Sequence, residues 1–333
     1  MSDSQPICVV IGAGAWGSAL ALHLARGGHE TRLWSQDPAH LEVMQASRKN
    51  VAYLGDYEFP KNLQVINALA TAVDEKTIFL IAVPSAGFIS TLQLIKTLPK
   101  PPAGIVIATK GLTEGGAFLS SQVNLILPAV PYGVLSGPSF AKELAENLPT
   151  AVTFAAEDPL FRNQVVSLFH HNSFRVYESE DVIGVSLGGC IKNVLAIAVG
   201  ISDGLGFGAN ARAALITRGL AEMMRLGAAL QADPKTFMGL AGLGDLVLTC
   251  TDNQSRNRRF GLYLGEGKSI EEAHRLIQRA IEGYKNARQV SQLAKQYQVE
   301  MPICEVVYQI LYESLSSQKA MAELMRRAPT YEH

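Results

Sequence analysis

Short apolar runs alternate with helical stretches through the first half of the chain, the rhythm of βαβ units feeding a mostly parallel sheet. Strands are predicted at 7–11, 30–34, 78–83, 105–109 and 134–136, with weaker ones at 151–154 and 174–176. Helices are predicted at 18–26, closed by Gly27 and Gly28, and at 88–97 and 140–147. After about Asp181 the β-like runs stop, and helical periodicity takes over at 183–200, 211–226, 270–280, 287–297 and 303–315. The pattern predicts an α/β domain with a doubly wound sheet over 1–182, then an all-α domain over 183–333. At 333 residues the chain is long enough for each half to bury its own core.

The helical stretch 184–200 reads GVSLGGCIKNVLAIAVG, apolar except for Ser186, Lys192 and Asn193. Its length approaches the roughly 20 residues of a membrane span, but a central cation is costly in lipid. No aromatic belt follows, so a buried helix in a soluble protein is expected, without stable membrane insertion. Composition agrees: 48% hydrophobic and 18% charged residues describe a globular chain. A formal net charge of −1 supplies no overall field for nucleic acid or an anionic membrane. Cys8, Cys190, Cys250 and Cys304 are far apart, with no CxxC pair and no histidine at ligand spacing. Neither a disulfide framework nor a metal site follows, and reduced thiols in the cytoplasm are expected. Residues 1–6 lack a basic segment, and the apolar run from Ile7 breaks at Gly12, too early for a signal peptide.

The first predicted strand runs directly into Gly12-Ala-Gly14-Ala15-Trp16-Gly17, and a helix follows. That context turns a bare GxGxxG into a dinucleotide-binding signal. Gly12 permits the turn, Gly14 admits the pyrophosphate close to the backbone, and Gly17 brings the helix against the strand. At the end of the second strand stand Trp34, Ser35 and Gln36, with Asp37 one step late for a ribose contact. No acid there repels a 2′-phosphate and no arginine holds one; Arg48 and Lys49 lie further on, so both NADPH and NADH are admitted.

Ligands of open α/β sheets sit beyond the C-terminal strand ends. Val83-Pro84-Ser85 closes one strand, and Ala108-Thr109-Lys110-Gly111 closes another, with Lys110 toward the cofactor cleft. Lys192 is the only formal charge across 184–200. Buried, its ammonium needs an opposite charge or must give up its proton, and either suits a general acid/base for a carbonyl oxygen. Asn193 beside it is a candidate for orienting substrate or cofactor. Asp245 emerges from the Gly-rich turn 239–244 and can pair with a buried lysine. Ser255-Arg256-Asn257 offers a hydroxyl, a guanidinium, an amide and helix N–H groups, a set that suits a phosphate dianion. Arg258 and Arg259 read as a solvated basic turn.

In combination, GAGAWGSA, VPS, ATKG, LSGPSFAKE, IKNVLAIAVGISDGLGFGANARAALITRGL, GLAGLGDLVLTCT, SRN and EGY resemble the bacterial NAD(P)-dependent glycerol-3-phosphate dehydrogenase family, from Gly12 to Tyr284. The resemblance implies a Rossmann-type domain followed by a helical domain like that of 6-phosphogluconate dehydrogenase. It implies reversible reduction of dihydroxyacetone phosphate to sn-glycerol 3-phosphate for phospholipid synthesis. By motif, Lys192 resembles the proton donor/acceptor, Lys110 a second contact to the substrate oxygen, and Asp245 the orienting carboxylate, with Thr249 in support. Gly137, Ser139, Asn193, Ser255, Arg256 and Asn257 resemble substrate contacts. Ala15, Trp16, Lys110, Ala141, Arg256, Ala280 and Glu282 resemble cofactor contacts. Gln36 stands where the family has His or Arg, so the resemblance implies no choice between NADPH and NADH. A homodimer is also implied.

Two rival readings share these features in part. A related two-domain hydroxyacid dehydrogenase would bind a carboxylate and have no need of Ser255, Arg256 and Asn257. A sensor that holds NAD(H) without turnover would have no use for Lys110, Lys192 and Asp245 together.

Overall fold

The computed structural model describes residues 6–325; the N-terminal reading at 1–5 and the end of the second predicted domain, 326–333, lie outside them. The chain forms two compact units. One comprises the described residues up to Thr113 with Ala117–Ser186; the other comprises Glu114–Gly116 and the described residues from Leu187.

The first unit is built on β1 (Cys8–Ile11), β2 (Thr31–Trp34), β3 (Leu63–Val65), β4 (Ile78–Ile81), β5 (Gly104–Ile107), β6 (Tyr132–Ser136), β7 (Thr150–Ala155) and β8 (Phe174–Ser179). They form one sheet in the order β3-β2-β1-β4-β5-β6-β7-β8. Pairing is parallel throughout except between β6 and β7, where Leu135 opposes Phe154 in antiparallel register. β1, β4 and β5 are buried at every position, as expected of strands with helices on both faces. Six helices accompany them: α1 (Ala15–Arg26), α2 (Pro38–Ser47), α3 (Phe88–Lys96), α4 (Leu119–Ile126), α5 (Ala141–Ala145) and α6 (Pro159–Phe169).

Three of these helices and β3 are absent from the periodicity reading. Two of them carry a local signal nonetheless. α2 and α6 each begin at an Asp-Pro pair, with Asp37 accepting from His40 N at 3.2 Å and Asp158 from Leu160 N at 2.8 Å. An aspartate N-cap followed by proline satisfies exposed N–H groups and presets the first helical φ.

The second unit contains no strand among its described residues. Its helices are α7 (Val182–Gly204), α8 (Gly208–Ala229), α9 (Pro234–Met238), α10 (Asp245–Thr251), α11 (Arg256–Gly265), α12 (Ile270–Ile277), α13 (Glu282–Gln296), α14 (Pro302–Tyr312) and α15 (Ser317–Met325). α7 is long and apolar enough to span a membrane by composition, with a mean hydropathy of 1.9, but 89% of its apolar window is buried inside the protein. It is a core helix. Glycines let its backbone touch α11: a Cβ added at Gly200 would lie 2.1 Å from Arg258 O, and one at Gly261 2.1 Å from Ile197 O. The helix predicted at 270–280 stops at Ile277, because Gln278 turns left-handed at φ 54°.

His23 on α1 shows how tightly the first unit is closed. Its ring stacks on His171 with centroids 3.9 Å apart, and its Nε2 lies 2.8 Å from Phe169 O, which can only accept. Burial is the main cause of a pKa pushed from 6.5 down to about 3, with His171, Arg26 and His29 adding like charge. Burial lowers His29 and His171 in the same direction. The folded state therefore favours neutral rings. That stability is fully present above about pH 6.5 and is lost as pH falls toward about 3. Thermal denaturation between pH 7.5 and 4 should show a falling Tm, and His23→Gln should flatten that acid limb while lowering Tm at neutral pH.

Candidate active site

The strand order reverses between β1 and β4, so the ligand crevice opens beyond Ile11 and Ile81. Gly12 leaves β1 at φ 111°, and its N–H donates to Trp34 O at 2.9 Å. A Cβ there would lie 2.7 Å from Ala82 O. A Cβ at Gly17 would lie 2.0 Å from Gly12 O, so the helix closes onto the turn itself. Gly14 is different: nothing lies within 4 Å of the Cβ it lacks. It caps α1 without a side-chain hydrogen bond, and the first turn carries no acid. Trp16 Nε1 is buried and has no hydrogen-bond partner among the described residues. Open space, bare helix N–H groups and an idle buried donor together fit an anionic dinucleotide. Ala141, opening α5, packs with Trp16 on the same apolar core.

Gln36 is exposed just past β2. Asp37 uses its carboxylate to cap α2. Arg48 and Lys49, which the sequence left as candidates for a 2′-phosphate, are already engaged. The Arg48 guanidinium donates to Phe59 O, Pro60 O and Leu63 O at 2.9, 2.7 and 3.2 Å, and Lys49 pairs with Asp56 at 2.7 Å.

At the ends of β5 and β6 three expected residues converge. Lys110 Nζ and Ser139 Oγ both donate to Gly137 O, at 3.2 and 2.9 Å. Gly137 has φ 148°, and a Cβ there would lie 2.8 Å from Val152 Cα. Thr109 Oγ1 donates to Val83 O at 2.8 Å, fixing the loop after β4.

In the second unit Lys192 Nζ donates to Asp245 Oδ1, with Lys192 6% and Asp245 1% exposed. Asp245 does not emerge from a loose turn: Leu240–Gly244 form a π-helical turn and Asp245 begins α10. Such π turns recur at functional sites. Gly188, one turn before Lys192 on α7, explains the approach, since a Cβ there would lie 2.3 Å from Ala241 O. Thr249 Oγ1 donates to Asp245 O at 2.6 Å and lies 3.4 Å from Oδ1.

Asn193 is bonded within the chain at both ends of its amide. Its Nδ2 donates to Gly189 O and Asn286 Oδ1 at 3.3 and 3.1 Å, and its Oδ1 accepts from Asn257 at 2.9 Å. Asn257 Oδ1 accepts from Gly283 N at 2.9 Å, tying α11 to the start of α13. Ser255 is the N-cap of α11, accepting from Arg258 N at 3.2 Å. Arg256 is exposed in the first turn of α11, with Glu282, Arg279 and Arg259 in electrostatic range. Ala280 is exposed in the connection between α12 and α13 rather than on a helix.

Arg258 corrects the expectation of a solvated basic turn. It is 7% exposed, pairs with Asp203 Oδ2 at 2.6 Å and donates to Asn253 Oδ1. Arg212 holds the other Asp203 oxygen at 3.0 Å. Arg259 is half-buried, and its Nε is shielded from solvent. Asp203 and Gly188 went unnoticed in the sequence because each acts on a residue distant along the chain.

A doubly wound sheet with a bare Gly-rich turn at its switch point, followed by a helical unit holding a buried Lys–Asp pair, defines a two-domain dinucleotide-dependent dehydrogenase. The family model described as the NAD-dependent glycerol-3-phosphate dehydrogenase N-terminus matches residues 7–161, and its C-terminal counterpart matches 181–322. The chain belongs to the NAD-dependent glycerol-3-phosphate dehydrogenase family. It is 54% identical over 330 residues to glycerol-3-phosphate dehydrogenase [NAD(P)+] of Cronobacter sakazakii, covering 98% of this chain and 97% of that one. The enzyme of that name from Escherichia coli is 52% identical over 331 residues, 98% of each chain. The crystal structure of glycerol-3-phosphate dehydrogenase from Coxiella burnetii superposes with a TM-score of 0.94 at 49% identity, over 97% of this chain and 99% of that one.

The Lys192–Asp245 pair is open to a double-mutant cycle. Removing one partner of a buried pair leaves an uncompensated charge and costs about 3–5 kcal/mol. Lys192→Met and Asp245→Leu should each lower stability to urea by that order, and the double variant should lose clearly less than their sum.

Proposed function

We propose that the chain catalyses the reversible reduction of dihydroxyacetone phosphate to sn-glycerol 3-phosphate with NADPH or NADH, supplying glycerophospholipid synthesis. The observation that carries the chemistry is the buried Lys192–Asp245 pair. Bound NADPH or NADH supplies the hydride for the carbonyl carbon. Lys192 Nζ–H delivers the proton to the carbonyl oxygen as that carbon is reduced, and in the reverse direction the neutral amine takes the hydroxyl proton. Asp245 orients Nζ, and Thr249 orients Asp245. Donors fixed before reaction also stabilise developing alkoxide charge without reorganising.

In this reading Gly12, Gly14, Ala15, Trp16, Gly17, Gln36, Lys110, Ala141, Arg256, Ala280 and Glu282 contact the cofactor. Lys110, Gly137, Ser139, Asn193, Thr249, Ser255, Arg256 and Asn257 contact or position the substrate. The dinucleotide-binding domain is 1–182 and the substrate domain 183–333. The reading extends to a cytoplasmic location and a homodimer. Val307, Ile310 and Leu311 of α14 are buried in the chain's own core, so a dimer would use another surface. Light scattering on the purified protein should give twice the chain mass, and a monomer mass would reject the dimer.

The decisive assay follows NADPH and NADH oxidation at 340 nm with dihydroxyacetone phosphate added. Substrate-dependent oxidation is expected, with inorganic phosphate competing. Lys192→Ala should lower turnover by about 10²–10⁴-fold with cofactor affinity intact. Oxidation with a 2-keto acid instead, insensitive to phosphate, would reassign the substrate to a hydroxyacid.

A further inference from the structure

Asn50 is 1% exposed and lies on neither the Gly-rich turn nor a strand. Its Nδ2 donates to Ala13 O at 2.9 Å and to Ser18 Oγ at 2.7 Å. A carbonyl can only accept, so the amide orientation is determined: Nδ2 faces the turn and Oδ1 faces away. Oδ1 lies 3.0 Å from His40 Nε2, which must therefore carry a proton and donate. Both protons of the Asn50 amide are engaged, and they grip the turn at two points. Ala13 lies inside it and Ser18 on the first turn of α1.

We propose that Asn50 is the positioning residue for the dinucleotide's pyrophosphate, and that His40 links it to the loop that meets the adenosine ribose. The proposal rests on the reading of the Gly-rich turn as the dinucleotide site. Drawing the Ala13 carbonyl toward Asn50 orients the following peptide groups so that their N–H dipoles serve the phosphates, while no carbonyl competes there. Gly14 has no side chain to fix its own backbone, and α1 has no side-chain cap, so the turn needs a brace from outside. Asn50 is that brace. On the far side, His40 N is bonded to the carboxylate of Asp37, next to Gln36 at the end of β2. A displacement of the ribose loop is thereby transmitted through one imidazole and one amide to the phosphate turn.

The main chain of Asn50 does separate work: its carbonyl accepts from Tyr53, Leu54 and Gly55 N at 3.3, 2.8 and 3.1 Å. A side-chain substitution leaves those bonds in place, so it isolates the amide. Asn50→Ala should raise the Kd of NADPH and of NADH alike by about tenfold, since two bonds that order the turn are lost. kcat at saturating cofactor should stay within about twofold, because no reacting atom is touched. The Kd for ADP, which carries the diphosphate without the nicotinamide, should rise by a similar factor. Asn50→Asp, nearly isosteric, should do the same because a carboxylate has no proton for Ala13 O. His40→Gln, which keeps a donor for Asn50 Oδ1, should retain more affinity than His40→Leu.

Cofactor Kd is read by NAD(P)H fluorescence without substrate, and circular dichroism confirms that each variant is folded. Unchanged Kd values in folded Asn50→Ala, whatever its Tm, would overturn the inference, as would a loss confined to kcat. If Asn50→Ala does not fold, Asn50→Asp and the His40 pair decide by the same criteria. Wild-type protein that binds neither NADPH nor NADH would sink the reading of the turn itself, a separate failure.

Discussion

A lysine ammonium in the middle of an apolar core helix has to be matched by a carboxylate, and much of the second unit is arranged around that demand. Lys192 lies within α7, too deep for water to solvate it. Its partner, Asp245, comes from a segment more than fifty residues on and reaches it only because Gly188 lets the π-helical turn come against α7. Thr249, one turn later on α10, donates to the Asp245 main-chain carbonyl and lies 3.4 Å from its carboxylate Oδ1. Removing the Gly188 gap would displace the turn, and with it the carboxylate that balances Lys192. In the proposed reaction, stability and chemistry converge on the same ion pair. A buried pair of this kind contributes little net stability over an apolar substitute, so its presence points to chemistry.

The first unit solves an opposite problem. In the proposed dinucleotide site the ligand is an anion, and the chain would meet it with backbone rather than side-chain charge. The Gly12–Gly17 turn has no cation of its own, and α1 has no side-chain cap, so the N–H groups and helix dipole are left for the phosphates. Nearby cations are held elsewhere, Arg48 on loop carbonyls and Lys49 on Asp56. A site built from peptide dipoles depends on backbone orientation. This makes a buried amide such as Asn50, gripping Ala13 O and Ser18 Oγ, worth more than its modest bond energy.

The Ser255-Arg256-Asn257 segment shows how one stretch of sequence divides its labour. Read as a string, it offers a hydroxyl, a guanidinium and an amide to a phosphate. In the fold, Ser255 caps α11 and Asn257 joins Asn193 to Gly283, while Arg256 remains exposed. Arg258, which looked like the least interesting residue of the run, is a buried anchor on Asp203. Side chains with the same chemistry thus bind, position or anchor according to what the neighbouring elements bring to them.

Much was legible in the sequence because it is local. The strand-turn-helix around Gly12, Gly14 and Gly17, the halt of β-like runs near Asp181, and a lone charge at Lys192 in an apolar helix all follow from residues adjacent along the chain. Asp-Pro pairs at 37–38 and 158–159 also marked helix starts, a local signal that periodicity alone passed over. What the tertiary structure decided is everything that depends on separation along the chain being cancelled by folding. This includes the antiparallel β6–β7 pair, the close approach at Gly188 that brings Asp245 to Lys192, the Asp203–Arg258 anchor, and the Asn50 brace. Hydrogen bonds and ion pairs act over a few ångströms in space, and the linear order of residues does not specify which groups will meet at that distance.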